Sequence, residues 1–174
     1  MGRFLVFLRN DGNLLTGSSL KDLYGHYSTI LEINMQYATR GLRNMSDDSE
    51  VALDFLQPND EEVINKAVDL VVGIMKDFKK SYPMGVIYID AMGLGCEVSM
   101  RTLEKDIPQI SSVTMWYPSI VSLKNVDRIS QLRDKGHIQE KFSIIANPQD
   151  STVPLLNKIK MQSKDKVNIF LKEG

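Results

Sequence analysis

Two N-terminal segments of the chain show the hydrophobic pattern of β-strands. Residues 3–9 form a short apolar run, and residues 31–37 alternate apolar and polar side chains without a break. Alternation with a period of two is typical of a strand that buries one face and leaves the other wetter. We therefore predict strands near residues 3–8 and 30–37.

The segment between these strands indicates a hairpin. Residues 10–13 (Asn-Asp-Gly-Asn) are a turn pattern, because Asp-Gly tolerates the positive φ angles of tight hairpins, and residues 14–16 would begin the return strand. The apolar residues of 19–38 also fit helical spacing. We prefer the strand for residues 28–38 and leave 19–25 open, so the N-terminal strands are predicted to be antiparallel.

A long helix is predicted after a polar, acidic loop at residues 43–57. Asn59 is a good N-cap, and Glu62, three positions later, is its capping-box partner. Apolar residues recur at helical spacing over residues 63–78, and lysines gather at the end of the segment, which suits the helix dipole. These signals predict a helix near residues 60–80.

In the second half of the chain, segments with the pattern of strands alternate with segments that have the pattern of helices. Strands are predicted near residues 85–90, 111–116, 141–146 and 166–171, and helices near 97–106, 122–135 and 152–161. Strands that alternate with helices form a parallel or mixed sheet covered by helices. We therefore predict a single α/β domain over residues 1–174. Its mixed sheet has antiparallel N-terminal strands, then alternating strands and helices, with helices on both faces in three layers.

Composition narrows the class of protein. The 174 residues are 43% hydrophobic and 25% charged, which are ordinary values for a globular domain and argue against disorder. With 21 basic and 22 acidic residues, the chain lacks the basic excess that is common in nucleic-acid-binding proteins. A single cysteine excludes an internal disulfide and fits a reducing compartment.

Hydropathy gives no indication of a membrane protein. The N-terminus lacks the long apolar segment of a signal peptide. No apolar run approaches the length of about 18 residues that a membrane helix needs. We therefore expect a location in the cytoplasm, or in a host cytoplasm if the chain is viral rather than bacterial.

The most informative segment for chemistry is the predicted strand at residues 85–90 and the turn after it. The strand ends in Asp90, and Gly93 and Gly95 come shortly afterwards. In α/β proteins, ligands and metals are held at the carboxyl end of a strand. A carboxylate there can bind Mg²⁺ or Mn²⁺ or accept a proton, or it can cap the next helix instead. The two glycines allow a phosphate to approach the backbone closely.

Two further groups of side chains have both a functional and a structural interpretation. Lys124 and Arg128 fall near one face of the helix predicted after residue 121, where they could meet the phosphates of a ligand or form an ordinary solvated face. Trp116 and Tyr117 end a predicted strand, where aromatic rings either line a cleft or pack in the core.

Cys96 comes directly after the glycines, near the start of a predicted helix, where the pKa of a thiol is lowered. Nucleophilic catalysis would need a base, and the two histidines, His26 and His137, lie in polar, turn-like surroundings. We therefore expect Cys96 to be a small packed thiol, buried and without a histidine partner.

One family resemblance rests on residues 86–95, Val-Ile-Tyr-Ile-Asp-Ala-Met-Gly-Leu-Gly. They resemble the segment that carries the second metal-binding carboxylate in the nuclease domains of viral large terminase subunits. In that segment an apolar strand ends in an acid and leads into a short glycine-containing turn. The predicted order of strand, hairpin return, strand, long helix and strand is also similar to the ribonuclease H-like fold of that family. Residues 124–138 are loosely similar to the next segment of those nuclease domains.

The resemblance implies a ribonuclease H-like, metal-dependent nuclease in which Asp90 is a metal ligand and a catalytic residue. Such enzymes hold two divalent ions, here Mg²⁺ or Mn²⁺, with several carboxylates and cut nucleic acid. The family places its first carboxylate in the first strand, and Asp11 is the acid of this chain nearest to that position. Asp150 and Asp165 are the candidates for the third carboxylate.

These residues support three functional hypotheses. The leading one is the metal-dependent nuclease, with nucleic acid as its substrate. The first alternative is a non-catalytic α/β module that binds a phosphate-bearing small ligand or a protein partner at the turn from Gly93 to Gly95. The second is a hydrolase that uses Cys96 as nucleophile. Further carboxylates beside Asp90 would favour the nuclease, and a histidine beside Cys96 would favour the hydrolase.

Overall fold

A computed structural model describes residues 2–9, 29–34, 39–44, 49–52, 60–118, 138–163 and 167–173. Two predicted elements lie outside these residues, namely the hairpin turn after the first strand and the helix near 122–135. The same is true of several predicted site residues, which are Asp11, His26, Lys124, Arg128, His137 and Asp165.

The described residues contain eight strands and three helices. The strands are β1 (Arg3–Arg9), β2 (Thr29–Asn34), β3 (Thr39–Asn44), β4 (Ser49–Ala52), β5 (Val86–Met92), β6 (Ile110–Trp116), β7 (Ile138–Ala146) and β8 (Val167–Leu171). The helices are α1 (Asp60–Ser81), α2 (Leu94–Leu103) and α3 (Val153–Ser163). None of these helices has the length and hydrophobicity needed to cross a membrane.

Most of the predicted elements within the described residues are confirmed. The long amphipathic helix occupies the predicted residues, and strands lie near every predicted strand position. Two differences have local causes. α2 begins at Leu94, three residues before its predicted start, because Gly93 turns the chain sharply. β3 and β4 include residues that are predicted to form a loop, because edge strands tolerate polar sequences that lack the alternation of a buried strand.

The sheet has the strand order β4-β3-β2-β1-β5-β6-β7-β8. Six neighbouring strands of the described sheet, from β2 through β1 to β8, pair in parallel. At one edge, β3 pairs antiparallel with both β2 and β4. The α/β class is therefore confirmed.

The prediction that the first strands are antiparallel is wrong for β1. This strand lies between β2 and β5 and runs parallel to both, with Leu5 opposite Ile30 on one side and Tyr88 on the other. A turn pattern such as Asp-Gly is a local signal and does not determine which strand becomes the neighbour. Parallel neighbours need a crossover connection rather than a hairpin. The ribonuclease H-like arrangement depends on that hairpin and stays a prediction.

All three helices pack against one face of the sheet. That face is formed by alternate strand residues such as Val6 and Ile89, which join Val71 of α1, Met100 of α2 and Leu156 of α3 in one continuous buried core. Burial of this apolar area is the main favourable contribution to folding. The spacing of apolar residues along α1 therefore predicted the helical side of the core correctly.

The opposite face of the sheet is apolar near its centre. Leu5, Phe7 and Ile30 are buried there, and Tyr88 and Met92 are partly buried. Burial on both faces is typical of parallel strands. Helices are predicted on both faces, but the described helices cover only one, and the helix predicted after β6 lies outside the described residues.

A side-chain network joins α2 to α1. The Arg101 guanidinium donates to both carboxylate oxygens of Glu61 at 3.0 Å, and to Asn65 Oδ1 at 3.1 Å. Its Nε also donates to Glu97 at 3.0 Å, which gives this buried carboxylate a partner of opposite charge. The two planar groups of Arg101 and Glu61 match in a bidentate pair, so the network fixes the position of α2 beside α1.

Candidate functional site

The direction in which successive strands are added to the sheet reverses at β1. From β1 the chain goes to β2 on one side, and it later returns to β5 on the other side, beyond which β6, β7 and β8 are added in order. In open α/β sheets, the crevice at the carboxyl ends of the strands where this reversal occurs is the usual place for a ligand. Here the corresponding position, called the crevice below, lies between the ends of β1 and β5, where Leu8 is opposite Ala91.

Gly93 makes the turn from β5 into α2. Its φ of 52° lies in the left-handed region, which L-residues with a side chain rarely adopt. Its N–H donates to the carbonyl oxygen of Trp116 at 3.2 Å, and its own carbonyl accepts from the Cys96 N–H at 3.0 Å. The glycine therefore has a backbone role, which is to turn the chain at the crevice and start the helix.

Gly95 brings the first turn of α2 against the end of β1. A β-carbon at this buried position would overlap the carbonyl oxygen of Leu8 and lie 2.8 Å from its carbonyl carbon. Only a residue without a side chain permits this approach. The described contacts therefore assign Gly95 to helix–strand packing, and this packing holds the N-terminus of α2 at the crevice.

Asp90 lies on the face of the sheet that the described helices leave uncovered. Its neighbours Ile89 and Ala91 are in the helix-covered core, so the alternation of the strand directs Asp90 to the other side. The indole Nε1–H of Trp116 donates to Asp90 Oδ1 at 2.6 Å. A hydrogen bond from a neutral N–H group to a carboxylate is charge-assisted. The N-cap residue of α2 is Gly93, so Asp90 does not occupy the N-cap position.

A row of residues that is polar except at Phe7 crosses the sheet at the level of Asp90. Phe7 of β1 is opposite Glu32 on β2 and opposite Asp90 on β5, and the row continues to Thr114 on β6 and Ser143 on β7. Two strand spacings, about 10 Å, separate the backbones of the two carboxylates. Glu32 is not among the predicted site residues. The alternation of its segment indicates which face it occupies but not which strand lies beside it.

Of the other carboxylates predicted to join Asp90, Asp150 alone lies among the described residues. Asp150 precedes α3, where its Oδ1 accepts from the Thr152 N–H at 3.0 Å, so it stabilises the start of that helix. Asp11 and Asp165 lie outside the described residues. Within the part of the chain that the structure describes, no group of three or more His, Cys, Asp or Glu residues could hold a metal ion.

Cys96 is buried, as predicted, and lies in the core beneath the turn. Burial raises the pKa of its thiol far above the usual range, and a contact of 3.7 Å to the carbonyl oxygen of Trp116 opposes that rise only in part. A thiol in this state stays protonated and is a poor nucleophile. Neither histidine lies among the described residues, so the expected lack of a histidine partner stays a prediction.

The structure thus brings Asp90, Gly93, Gly95 and Trp116 together at one end of the sheet. The sequence identifies Trp116 only as the end of a strand, and its hydrogen bond to Asp90 joins residues 26 positions apart. Lys124 and Arg128, the predicted phosphate contacts, lie outside the described residues. Comparison of the chain with protein-family models, with curated proteins and with solved structures finds no match to any of them.

Proposed function

We propose that this chain is an α/β module that binds a small phosphate-bearing ligand at the crevice between the carboxyl ends of β1 and β5. The observation that carries the proposal is the reversal of strand order at β1, which coincides with the turn made by Gly93. Ligands of open α/β sheets bind at this topological position.

The electrostatics of α2 support a phosphate as the bound group. The N–H groups in the first turn of a helix and the positive end of its dipole favour an anion at the N-terminus. Gly95 holds this end of α2 directly against β1. One acid, Glu97, lies in the first turn, and its charge is balanced by the ion pair with Arg101 at 3.0 Å.

Asp90 supports Mg²⁺ or Mn²⁺ as a companion of the phosphates. Mg²⁺ is usually bound by one or two carboxylates together with the phosphates of the ligand, rather than by a complete set of protein ligands. Asp90 would supply one such carboxylate, whereas Glu32 lies two strands away with Phe7 between them. The metal would offset the repulsion between Asp90 and the phosphates, so binding of ligand and metal should depend on each other.

A metal-dependent nuclease is the second candidate function. The position of Glu32 and Asp90 on either side of Phe7 favours it, because nucleases of this kind need several carboxylates on one sheet face. In this proposal Asp11 would add a further metal ligand, while Lys124 and Arg128 would contact the nucleic acid. The substrate would then be DNA or RNA rather than a small molecule.

One set of experiments tests both candidates. Thermal unfolding is followed with tripolyphosphate, with Mg²⁺ or Mn²⁺, and with both, and cutting of DNA and RNA is measured with Mn²⁺. For the binding module, tripolyphosphate with Mg²⁺ should stabilise the fold by about 2.7 kcal/mol at a hundredfold excess over its Kd. Asp90→Asn should lose the part of this stabilisation that depends on metal.

The matched control is Asp77→Asn, since Asp77 is exposed on α1. For the nuclease, cutting should be lost in Asp90→Asn and kept in Asp77→Asn. Stabilisation by tripolyphosphate without any cutting would leave the binding module alone. If the wild-type protein neither responds to tripolyphosphate nor cuts nucleic acid, both proposals are wrong.

A further inference from the structure

Trp116 is held rigidly beside the turn. Its carbonyl oxygen accepts from the Gly93 N–H at 3.2 Å and lies 3.7 Å from the Cys96 sulfur. Its indole N–H donates to Asp90 at 2.6 Å. Both ends of the residue are therefore fixed by the segment that forms the proposed phosphate site, and the ring plane has little freedom to turn.

The row of the sheet that contains Trp116 is apolar, and the adjoining row is polar. Trp116 is opposite Met92 on β5 and Ile145 on β7, which form an apolar row at the carboxyl ends of these strands. The adjoining row contains Asp90 and Thr114. Because the indole makes its hydrogen bond through its edge, that bond itself occupies neither face of the ring. The side chain itself is only partly buried.

We infer that Trp116 stacks on the base of a nucleotide, so that the phosphate-bearing ligand of this site is a nucleotide. A flat heterocycle would cover the ring face over the apolar row, while its phosphates reach the turn at Gly93. The inference rests on the proposed function for its phosphate site. It adds the aromatic platform, which a site for inorganic phosphate or a sugar phosphate would not need.

The single tryptophan of the chain makes this inference directly measurable, since all indole fluorescence comes from Trp116. The probes are ATP, CTP, adenosine and tripolyphosphate, each with Mg²⁺, and excitation is set at the red edge of the indole band, where nucleotides absorb little. ATP and CTP should quench the emission, because stacking tolerates any base. Tripolyphosphate should not quench it. ATP should bind about tenfold more tightly than tripolyphosphate, as measured by calorimetry.

Two substitutions separate the ring from its hydrogen bond. Trp116→Leu should remove the advantage of ATP over tripolyphosphate and keep the affinity for tripolyphosphate, which also shows that the site is folded. Trp116→Phe loses the indole N–H but retains an aromatic face, so it should keep most of the advantage. A loss of equal size in both variants would overturn stacking.

The remaining outcomes distinguish this inference from the proposed function. If tripolyphosphate binds as tightly as ATP and no probe quenches Trp116, the stacking inference is wrong and the phosphate site stands. If adenosine quenches the indole but tripolyphosphate does not bind, the stacking platform stands and the phosphate site is wrong. If none of the probes binds, both are overturned. Phosphocholine binding as tightly as ATP would also overturn the nucleotide, because a cation would then occupy the ring face.

Discussion

The two faces of the sheet take different residues from the same strands. On the helix-covered face, Ile89 and Val113 are apolar and buried in one continuous core. On the opposite face, Asp90 and Thr114 belong to a polar row, and Trp116 lies in the row beyond it. Since successive residues of a strand point to opposite faces, one set of residues stabilises the fold and the other forms the candidate site. Neighbouring positions on one strand should therefore respond differently to substitution.

The largest difference is expected between Phe142 and Ser143 on β7. Phe142 is fully buried in the helix-covered core, whereas Ser143 is partly buried in the polar row. Phe142→Ala should lower the free energy of unfolding by about 3–5 kcal/mol, because it leaves a cavity. Ser143→Ala should change it by about 0.5 kcal/mol. Urea unfolding of both variants measures the difference, and equal losses would contradict the assignment of the two faces.

A smaller but still clear effect is expected at Gly95, where the helix-covered face meets the crevice. Gly95→Ala should cost about 1–3 kcal/mol, because the new methyl group would collide with the backbone of Leu8. Gly73 is the matched control. It lies inside α1, and a β-carbon there would meet nothing within 4 Å, so Gly73→Ala should stabilise the protein by about 0.5–1 kcal/mol. Opposite signs in thermal unfolding are the expected result.

The bond between Asp90 and Trp116 should contribute about 1.5 kcal/mol to stability, since its acceptor is a carboxylate. A double-mutant cycle with Asp90→Ala and Trp116→Phe measures this coupling free energy, because each substitution removes one partner of the bond. The comparison pair is Asp77→Ala with Trp116→Phe, for which the effects should be additive. A cycle without coupling would mean that the bond does not hold the ring in place.

The effect that is smallest near neutral pH, where it vanishes, is a dependence of stability on pH caused by Cys96. Burial raises the pKa of this thiol in the folded protein above its ordinary value of about 9.0. Below that pH both states hold the proton, and the stability is complete. Above it the unfolded state loses the proton first, so the free energy of unfolding should fall by up to about 1.4 kcal/mol for each pH unit. Cys96→Ala should lack this component in unfolding curves measured across alkaline pH.

Local patterns predicted the elements but not their neighbours. The helical spacing of apolar residues predicted α1 to within one residue of its observed end, and period-two alternation predicted β2. Both patterns report how a segment contacts its immediate surroundings. The antiparallel pairing of the first strands was an inference about a partner, and it was wrong. Backbone hydrogen bonds between strands are much the same for any sequence, so the identity of the neighbour depends on the whole sheet.

The candidate site shows the same division. The sequence by itself determined that Asp90 lies in the last part of a buried strand and that a turn with Gly93 comes after it, although the strand continues to Met92, two residues beyond its predicted end. These features depend on adjacent residues. Only the tertiary structure decided that Glu32 joins the row of Asp90, that Trp116 binds its carboxylate, and that the strand order reverses beside it. The physical reason is that strand order and register bring together residues far apart in the chain, and no local hydrophobic pattern specifies which strands will be neighbours.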